Sequence, residues 1–420
     1  MFAAPKLERV RVGVVGIGGR GGAAVERLLL IPGVELTAVC DIQDSMLAKA
    51  RTACDKAGVR RAKEYTGSVE AWKGLCDDPN VDVVYNTTPW WLHAPVALYA
   101  MRAGKHAMNE VPGATTVDEC WDLVETSEKT SRHCMQLENC CYGEFELLAL
   151  NLARQGFFGQ VVHGECAYIH DLTRGQLKGY WDNWRLKWNM RHKGNAYPTH
   201  GLGPVCNVMD VNRGDRLDYL VSLESDQFNV EEKAKALFPA EAWQRKAKVA
   251  MGDMNSTLIR TVKGRSILVQ HDVSSPRPYT RINLIQGTRG ILCGGDEADL
   301  TNGWPYRIGQ EKGPATGCHT FFDGVTAEEI RQTHKHPLWK KYGVQAKEEG
   351  GHGGMDYLMD LRWSICLREG LPLDMNVYDL ATLSSICELS ERSVRNRSAA
   401  QDIPDFTRGG WKTAPQVAFA

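Results

Sequence analysis

The chain has 420 residues, too many for one ordinary hydrophobic core, so two domains are the starting expectation. Hydrophobic residues make up 43% and charged residues 24% of it, which excludes a disordered or fibrous protein. The net charge of -1 is spread over interleaved acids and bases, with no basic stripe and no apolar run of bilayer length, so neither nucleic acid nor membrane insertion is expected.

Residues 10 to 16 form an apolar strand that ends in a glycine run, in which Gly16, Gly18 and Gly21 match GxGxxG. An apolar-periodic helix follows through Val25, Leu28 and Leu29, and a second strand, Val34 to Cys40, ends in Asp41. That acid stands about 20 residues past the last glycine, where one is needed to hydrogen-bond an adenosine ribose. Glycines at this turn let backbone N–H groups approach a pyrophosphate at the helix N-terminus. A carboxylate at Asp41 would repel a 2′-phosphate and no Arg or Lys directly follows, so NAD rather than NADP is the expected cofactor.

The strand–helix alternation continues with Val81 to Asn86, a helix from about His93, His106 to Asn109, and His133 to Leu137 as a sixth strand. Together these elements read as an N-terminal Rossmann domain over about 1–140. Ligands of open α/β sheets bind beyond the carboxyl ends of the strands. Trp90, Trp91, His93, Glu110 and Asn139 are therefore expected on the nicotinamide side.

From 141 to 420 the pattern changes. A helix is predicted from Gly143 to Arg154, then strands at Val161 to Ile169, Tyr219 to Leu223, Ser256 to Val262, Ser266 to Gln270 and Thr280 to Ile285. The last segments of the chain could pack back on the first domain. Between the strands lies a Trp-rich segment with Trp181, Trp184 and Trp188, whose rings suit the C–H faces of sugars or an ordinary core. Arg185 can donate a fork of hydrogen bonds to hydroxyls or an acetamido carbonyl. His200 is expected to open a helix, with Tyr197 three residues before it. The GGHGG run at 350–354 reads as a mobile loop carrying His352 as an acid/base, whereas His334 and His336 read as surface residues.

Thirteen cysteines contain no CxxC pair, so zinc and dithiol spacings are missing and no metal site is expected. They read as buried small hydrophobes in a reduced protein. The opening Met1-Phe2-Ala3-Ala4-Pro5 does not itself read as a signal peptide. A leader trimmed upstream would make the chain an exported one; otherwise the cytoplasm is expected.

The first domain resembles the glucose–fructose oxidoreductase-like superfamily, whose members add a C-terminal α+β domain with an open, mainly antiparallel sheet. Dehydrogenases of that superfamily carry Glu-Lys-Pro after the fifth strand, and their lysine assists hydride transfer. Here the triplet is Glu110-Val111-Pro112, which argues against a routine sugar dehydrogenase. Further along, the chain resembles glycoside hydrolase family 109 in Leu137-Glu138-Asn139, the segment Tyr168 to Leu172, Asn183-Trp184-Arg185, the run YPTHGLGP at 197–204 and GGHGG.

The resemblance implies an NAD-dependent α-N-acetylgalactosaminidase acting on glycans that end in N-acetylgalactosamine, and by analogy a homo-oligomer. It implies a route without the usual carboxylate pair: oxidation at carbon 3 of the sugar, elimination of the aglycone, addition of water and return of the hydride. Gly16, Gly18, Gly19, Arg20, Gly21, Asp41, Trp90, Trp91, His93, Glu110, Val111, Asn139, His170, Trp184 and Tyr197 are the implied cofactor contacts. His200 takes the place of the superfamily's catalytic histidine and works with Tyr197 on the carbon 3 hydroxyl. Tyr168 or Glu138 lies near the carbon 2 proton, and His352 protonates the leaving oxygen. Arg185, Tyr279, Pro198 and Thr199, with Tyr168, Tyr197 and His200, contact the sugar. An NAD-dependent sugar or polyol oxidoreductase is the alternative within the same fold. A nucleotide-sensing regulator is the alternative outside enzymes.

Overall fold

The computed structural model describes residues 4–294, 306–311, 313, 317–417 and 419. The chain forms two compact units, one made of Met1–Gly143, Pro337–Ser384 and Gln416–Ala420, the other of Glu144–His336 and Ser385–Pro415.

The first unit is built on six strands: β1 (Val10–Val15), β2 (Val34–Cys40), β3 (Lys63–Tyr65), β4 (Val83–Asn86), β5 (His106–Asn109) and β6 (Cys134–Gln136). They pair in the order β3-β2-β1-β4-β5-β6, every pair parallel. Strands β4 and β5 are buried along their whole length, as a sheet covered on both faces requires. The strand order reverses between β1 and β4, and the crevice beyond their carboxyl ends is where such folds bind ligands. The sequence favours each crossover helix locally. Val117–Thr130, for example, begins with a capping box in which the Thr116 hydroxyl and the Glu119 carboxylate take each other's backbone N–H.

A helix with no sequence-based expectation, Met355–Glu369, completes this unit. It is buried nearly all round. Its Asp360 accepts bonds from Arg27 Nε at 3.0 Å, Tyr85 OH at 3.0 Å and Trp363 Nε1 at 3.1 Å. Burial pushes the Asp360 carboxyl above its ordinary value, against the pull of Arg27.

The second unit carries β7 (Val161–Ile169), β8 (Leu217–Glu224), β9 (Asn255–Thr261), β10 (Ser266–Asp272), β11 (Leu284–Gly287), β12 (Gly290–Gly294), β13 (Tyr306–Gln310) and β14 (Gln401–Asp402). Among the described residues these form one sheet, β13-β12-β11-β7-β10-β9-β8-β14. Only β7 and β10 pair in parallel; the other pairs are antiparallel. The expected α+β unit with a mainly antiparallel sheet is what forms.

Helix Thr199–Val208 lies directly on β7. A Cβ on Gly201 would fall 2.5 Å from the Ala167 backbone nitrogen, and one on Gly164 would fall 2.7 Å from Val205. These two glycines allow the close approach that sets the helix start beside the end of β7. Pro204 falls in the second turn of that helix rather than the first, so it cannot donate to the His200 carbonyl.

Three local expectations change. The strand expected over Thr280 to Ile285 begins only at Leu284, because Ile282 and Asn283 turn through left-handed backbone, φ 62° and 55°. Glu146 holds that turn by accepting from Arg281 Nε and Asn283 Nδ2 at 3.0 and 3.1 Å. His336 is buried, not superficial. The GGHGG run forms a 3-10 turn, His352–Gly354, at the start of the Met355–Glu369 helix. Twelve of the thirteen cysteines are buried and all are free thiols. Among the described residues no helix is long and apolar enough to cross a membrane.

Candidate functional site

At the end of β1 the chain turns at Gly16, with φ 85°, into helix Gly19–Leu28. A Cβ on Gly21 would lie 1.8 Å from the Gly16 carbonyl oxygen and 2.5 Å from Thr87 Oγ1, so only glycine fits there. Gly18 and Gly19, by contrast, face open space. Asp41, just past β2, accepts from Ile17 N at 2.7 Å and Gln43 N at 2.8 Å, which ties it to the same loop.

After β4, Trp90 is buried and Trp91 exposed. His93 is buried with Nδ1 2.6 Å from the Pro112 carbonyl and Nε2 2.7 Å from that of Thr88. Burial holds this imidazole below its ordinary pKa, although both carbonyls favour the protonated ring. The structure therefore places His93 as a brace joining the two loops. After β5 come Glu110 and Val111, both buried, and a cis peptide joins Val111 to Pro112.

Arg20, at the start of the glycine-loop helix, connects this region to residues far along the chain. Its Nε donates to Glu110 Oε1 at 2.5 Å and its Nη1 to Asp356 Oδ2 at 2.8 Å. The same Asp356 oxygen lies 2.8 Å from His352 Nδ1. Asn139 Nδ2 donates to the other Asp356 oxygen at 2.6 Å. Burial alone would raise the Asp356 carboxyl, but His352, Arg20 and Arg27 hold it far below the carboxylate range. Burial likewise opposes the charge on Arg20, and Glu110 and Asp356 more than restore it. Glu138 is fully buried, its Oε1 accepting from Cys140 N at 3.1 Å.

In the second unit, Tyr168 on β7 is the hub of an aromatic cluster. Ring centroids of Tyr197, His170, His200 and Tyr279 lie 4.6, 4.8, 5.2 and 6.1 Å from its own. His271, on the parallel neighbour β10, stands 6.3 Å away. Tyr197 and His200 are brought together by the start of helix Thr199–Val208, whose N-cap is Pro198.

Arg185, on helix Trp184–Asn189, sends its guanidinium over the rings of Tyr180, Trp184 and Tyr197 at 4.8, 5.4 and 5.4 Å. It also donates to Tyr180 OH at 3.0 Å. Burial, then the Arg185 charge, pushes the His170 and His271 imidazoles down to about 4. Tyr279 OH accepts from Arg281 Nη1 at 2.8 Å. The cluster is a set of hydrogen-bonding rings beside a fixed cation, suited to a polyhydroxylated ligand with an apolar face.

Within each unit the sequence-derived residues come together. Those the sequence reading missed are Asp356, Arg27, His271, Glu146, Arg281 and Asn195. Asn195 Nδ2 and Thr199 Oγ1 are buried without a hydrogen-bond partner among the described residues, which calls for a water or ligand atom. The spacing around Asp356 gave no motif, but its position four residues after His352 on a helix start is a signal that could have found it.

Comparison with known proteins adds what geometry does not. Residues 142–413 match the model of the glycosyl hydrolase 109 C-terminal domain. Residues 10–137 match that of the oxidoreductase family with an NAD-binding Rossmann fold. A Shewanella glycosyl hydrolase family 109 protein is 46% identical over 418 residues, 99% of this chain and 89% of the relative. A Bacteroides fragilis protein named alpha-N-acetylgalactosaminidase is 45% identical, covering 98% of this chain and 95% of its own. Among solved structures, levoglucosan dehydrogenase in complex with NADH and L-sorbose is similar in fold, with TM-score 0.70 and 18% identity over 95% of this chain and 100% of that one. A myo-inositol 2-dehydrogenase from Lactobacillus plantarum gives TM-score 0.66 at 14% identity, over 94% and 100%.

Proposed function

The chain belongs to glycoside hydrolase family 109, and from that premise we propose that it removes terminal N-acetylgalactosamine from glycans with NAD retained between turnovers. The observation that carries this reading is the near full-length identity of 45% to the relative named alpha-N-acetylgalactosaminidase. Val111, in place of the dehydrogenases' lysine, supports it.

The glycine loop fits a dinucleotide: open space at Gly18 and Gly19 leaves backbone N–H groups free to meet phosphate, and Asp41 stands beside them for a ribose diol. The Asp41 charge favours NAD over NADP. Bound NAD would supply a reversible two-electron oxidation at carbon 3 of the sugar, and the resulting ketone acidifies the carbon 2 proton. Tyr197 and His200 exchange the carbon 3 hydroxyl proton. Tyr168 as its phenolate, or Glu138 as its carboxylate, takes the carbon 2 proton; both side chains are buried. His352, whose side chain is 61% exposed, protonates the departing oxygen and then activates water. Arg185 and Tyr279 hold the sugar's polar groups.

The test is release of nitrophenol from nitrophenyl N-acetyl-α-galactosaminide in deuterated water with no NAD added. Release with deuterium at carbon 2 is expected. Silence there, with steady NADH formation from added NAD and a free sugar, would replace the reading with a plain dehydrogenase.

Gly21→Ala supplies a second check. Its methyl would overlap the Gly16 carbonyl, and such overpacking costs about 1–3 kcal/mol where the neighbours can shift. The purified variant is expected to carry no NAD in the supernatant after heat denaturation and to melt below the wild type. Stoichiometric NAD in that variant would show that the loop does not hold the dinucleotide.

A further inference from the structure

We propose that Asp356 is the positioning residue of His352: it fixes the ring so that Nδ1 carries a hydrogen and Nε2 is the nitrogen that exchanges protons with substrate. This rests on the reading of His352 as the acid/base.

The geometry of the turn points this way. The four glycines of GGHGG do more than loosen the backbone. A Cβ on Gly351 would fall 2.6 Å from Asp356 Cβ, so the chain passes tightly over that residue with φ 85°. Both Gly354 N and Asp356 N donate to the Gly351 carbonyl, at 3.0 and 3.3 Å. His352 itself takes φ 47°, a left-handed conformation that costs a non-glycine residue energy and persists where surroundings enforce it. The outcome of this winding is one contact, His352 Nδ1 to Asp356 Oδ2 at 2.8 Å.

An ionised carboxylate is only an acceptor, so a nitrogen at that distance must be the donor. The carboxylate is kept ionised and aimed by its other partners. Asn139 Nδ2 holds Oδ1, while Arg20 and Arg27 of the glycine-loop helix approach Oδ2 at 2.8 and 3.6 Å. Arg20 Nη1 is also 3.4 Å from His352 Nδ1, and its far side is bound by Glu110. The helix Pro337–Glu349 meets the turn through Ala346, against Gly354. Asp356 is 1% exposed and His352 61%, so the fixed end of the pair is interior and the working end faces out.

The consequence is that the ring is held in one tautomer, with Nε2 left to face the substrate. Because Arg20 lies within the GxGxxG run, the pair is tied to the loop that would meet the nucleotide phosphates.

Asp356→Asn in the NAD-loaded enzyme tests this. On an unactivated N-acetylgalactosamine disaccharide, kcat is expected to fall by about 10²–10⁴ with KM within about threefold, as loss of an orienting carboxylate does elsewhere. The nitrophenyl glycoside, whose leaving group departs without a proton, is expected to lose less than about tenfold. A structural role alone would lower the melting temperature and slow both substrates alike, which would overturn the proposal.

Should the variant fail to fold, side-chain ¹⁵N spectra of the wild-type holoenzyme decide, with His352 assigned by comparison with H352A. A neutral ring protonated at Nδ1 is expected, and one protonated at Nε2 overturns the proposal. If H352A itself hydrolyses the disaccharide at the wild-type rate, the acid/base reading has failed and the proposal falls with it. If H352A is impaired while D356N matches the wild type, the proposal alone fails.

Discussion

Replacing His352 with Ala is expected to slow hydrolysis of unactivated N-acetylgalactosaminides by about 10²–10⁴-fold, the usual worth of a general acid, and to spare nitrophenyl glycosides within about tenfold. A sugar alkoxide cannot leave without a proton, whereas nitrophenolate is stable enough to leave alone. The ring is mostly exposed and its anchor, Asp356, keeps Arg20 and Asn139 as partners, so the fold should survive the substitution. The measurement is a pair of progress curves, one on a disaccharide and one on the nitrophenyl glycoside, with bound NAD quantified in both. Equal losses on the two substrates would mean that His352 acts before the leaving group departs, or holds the sugar. No loss on the disaccharide would remove it from the chemistry.

Acid should destabilise both units well before it protonates their surface carboxylates. In the first unit, His106 Nδ1 accepts from His133 N at 3.0 Å, and His133 Nε2 accepts from Ala4 N at 3.3 Å, so both rings must be neutral where they serve. Burial, then the neighbouring ring and Arg132, push His106 down to about 3. Burial and Arg132 push His133 down to about 4. In the second unit His271 is likewise held to about 4.

An unfolded histidine titrates near 6.5, so between these values the unfolded chain binds more protons than the folded one, and stability rises with pH. The contribution is fully present above about pH 6.5 and is lost as the pH falls toward the folded values. Lowering the pH from 7 to 5 should cost about 2 kcal/mol per buried histidine, a large share of the about 5–15 kcal/mol that holds a typical protein. Urea midpoints at pH 7 and pH 5 test it. A flat midpoint over that interval would mean that these rings are protonated, or wet, in the folded protein.

The parts of this protein that follow a simple period were legible in its sequence. β2, β5 and β7 run over the residues their apolar runs marked out, and the loop, the acid at 41 and the carboxyl-end residues follow from the doubly wound pattern. Helix Met355–Glu369 was not legible, because Asp356, Asp360, Arg362 and Ser364 are as buried as its leucines and no apolar stripe exists. Arg362 is held by Asp374, just past the helix end, but Arg20, Arg27 and Tyr85, which hold Asp356 and Asp360, lie hundreds of residues away. The turn at Ile282 was read as strand for a related reason. Its residue types favour extension, and Glu146 overrides that preference. In the aromatic cluster the sequence supplied Tyr168, Tyr197 and His200 through motif likeness, while His271 is joined to them only by the parallel pairing of β7 with β10.

The discontinuity of the first unit bears on how the chain is made. Arg27 and its partner Asp360 are 333 residues apart. At ~5–20 residues per second, translation leaves that guanidinium waiting roughly 20–70 s for its carboxylate. Until then the parallel sheet has Tyr85 and the glycine-loop helix finished as sequence but uncovered as structure. The uninterrupted segment Glu144–His336, by contrast, supplies most of the second unit before the last pieces of the first have left the ribosome. Birth order and structural order are thus inverted, and the nascent N-terminal third is the stretch for which a cell's chaperones have most to do.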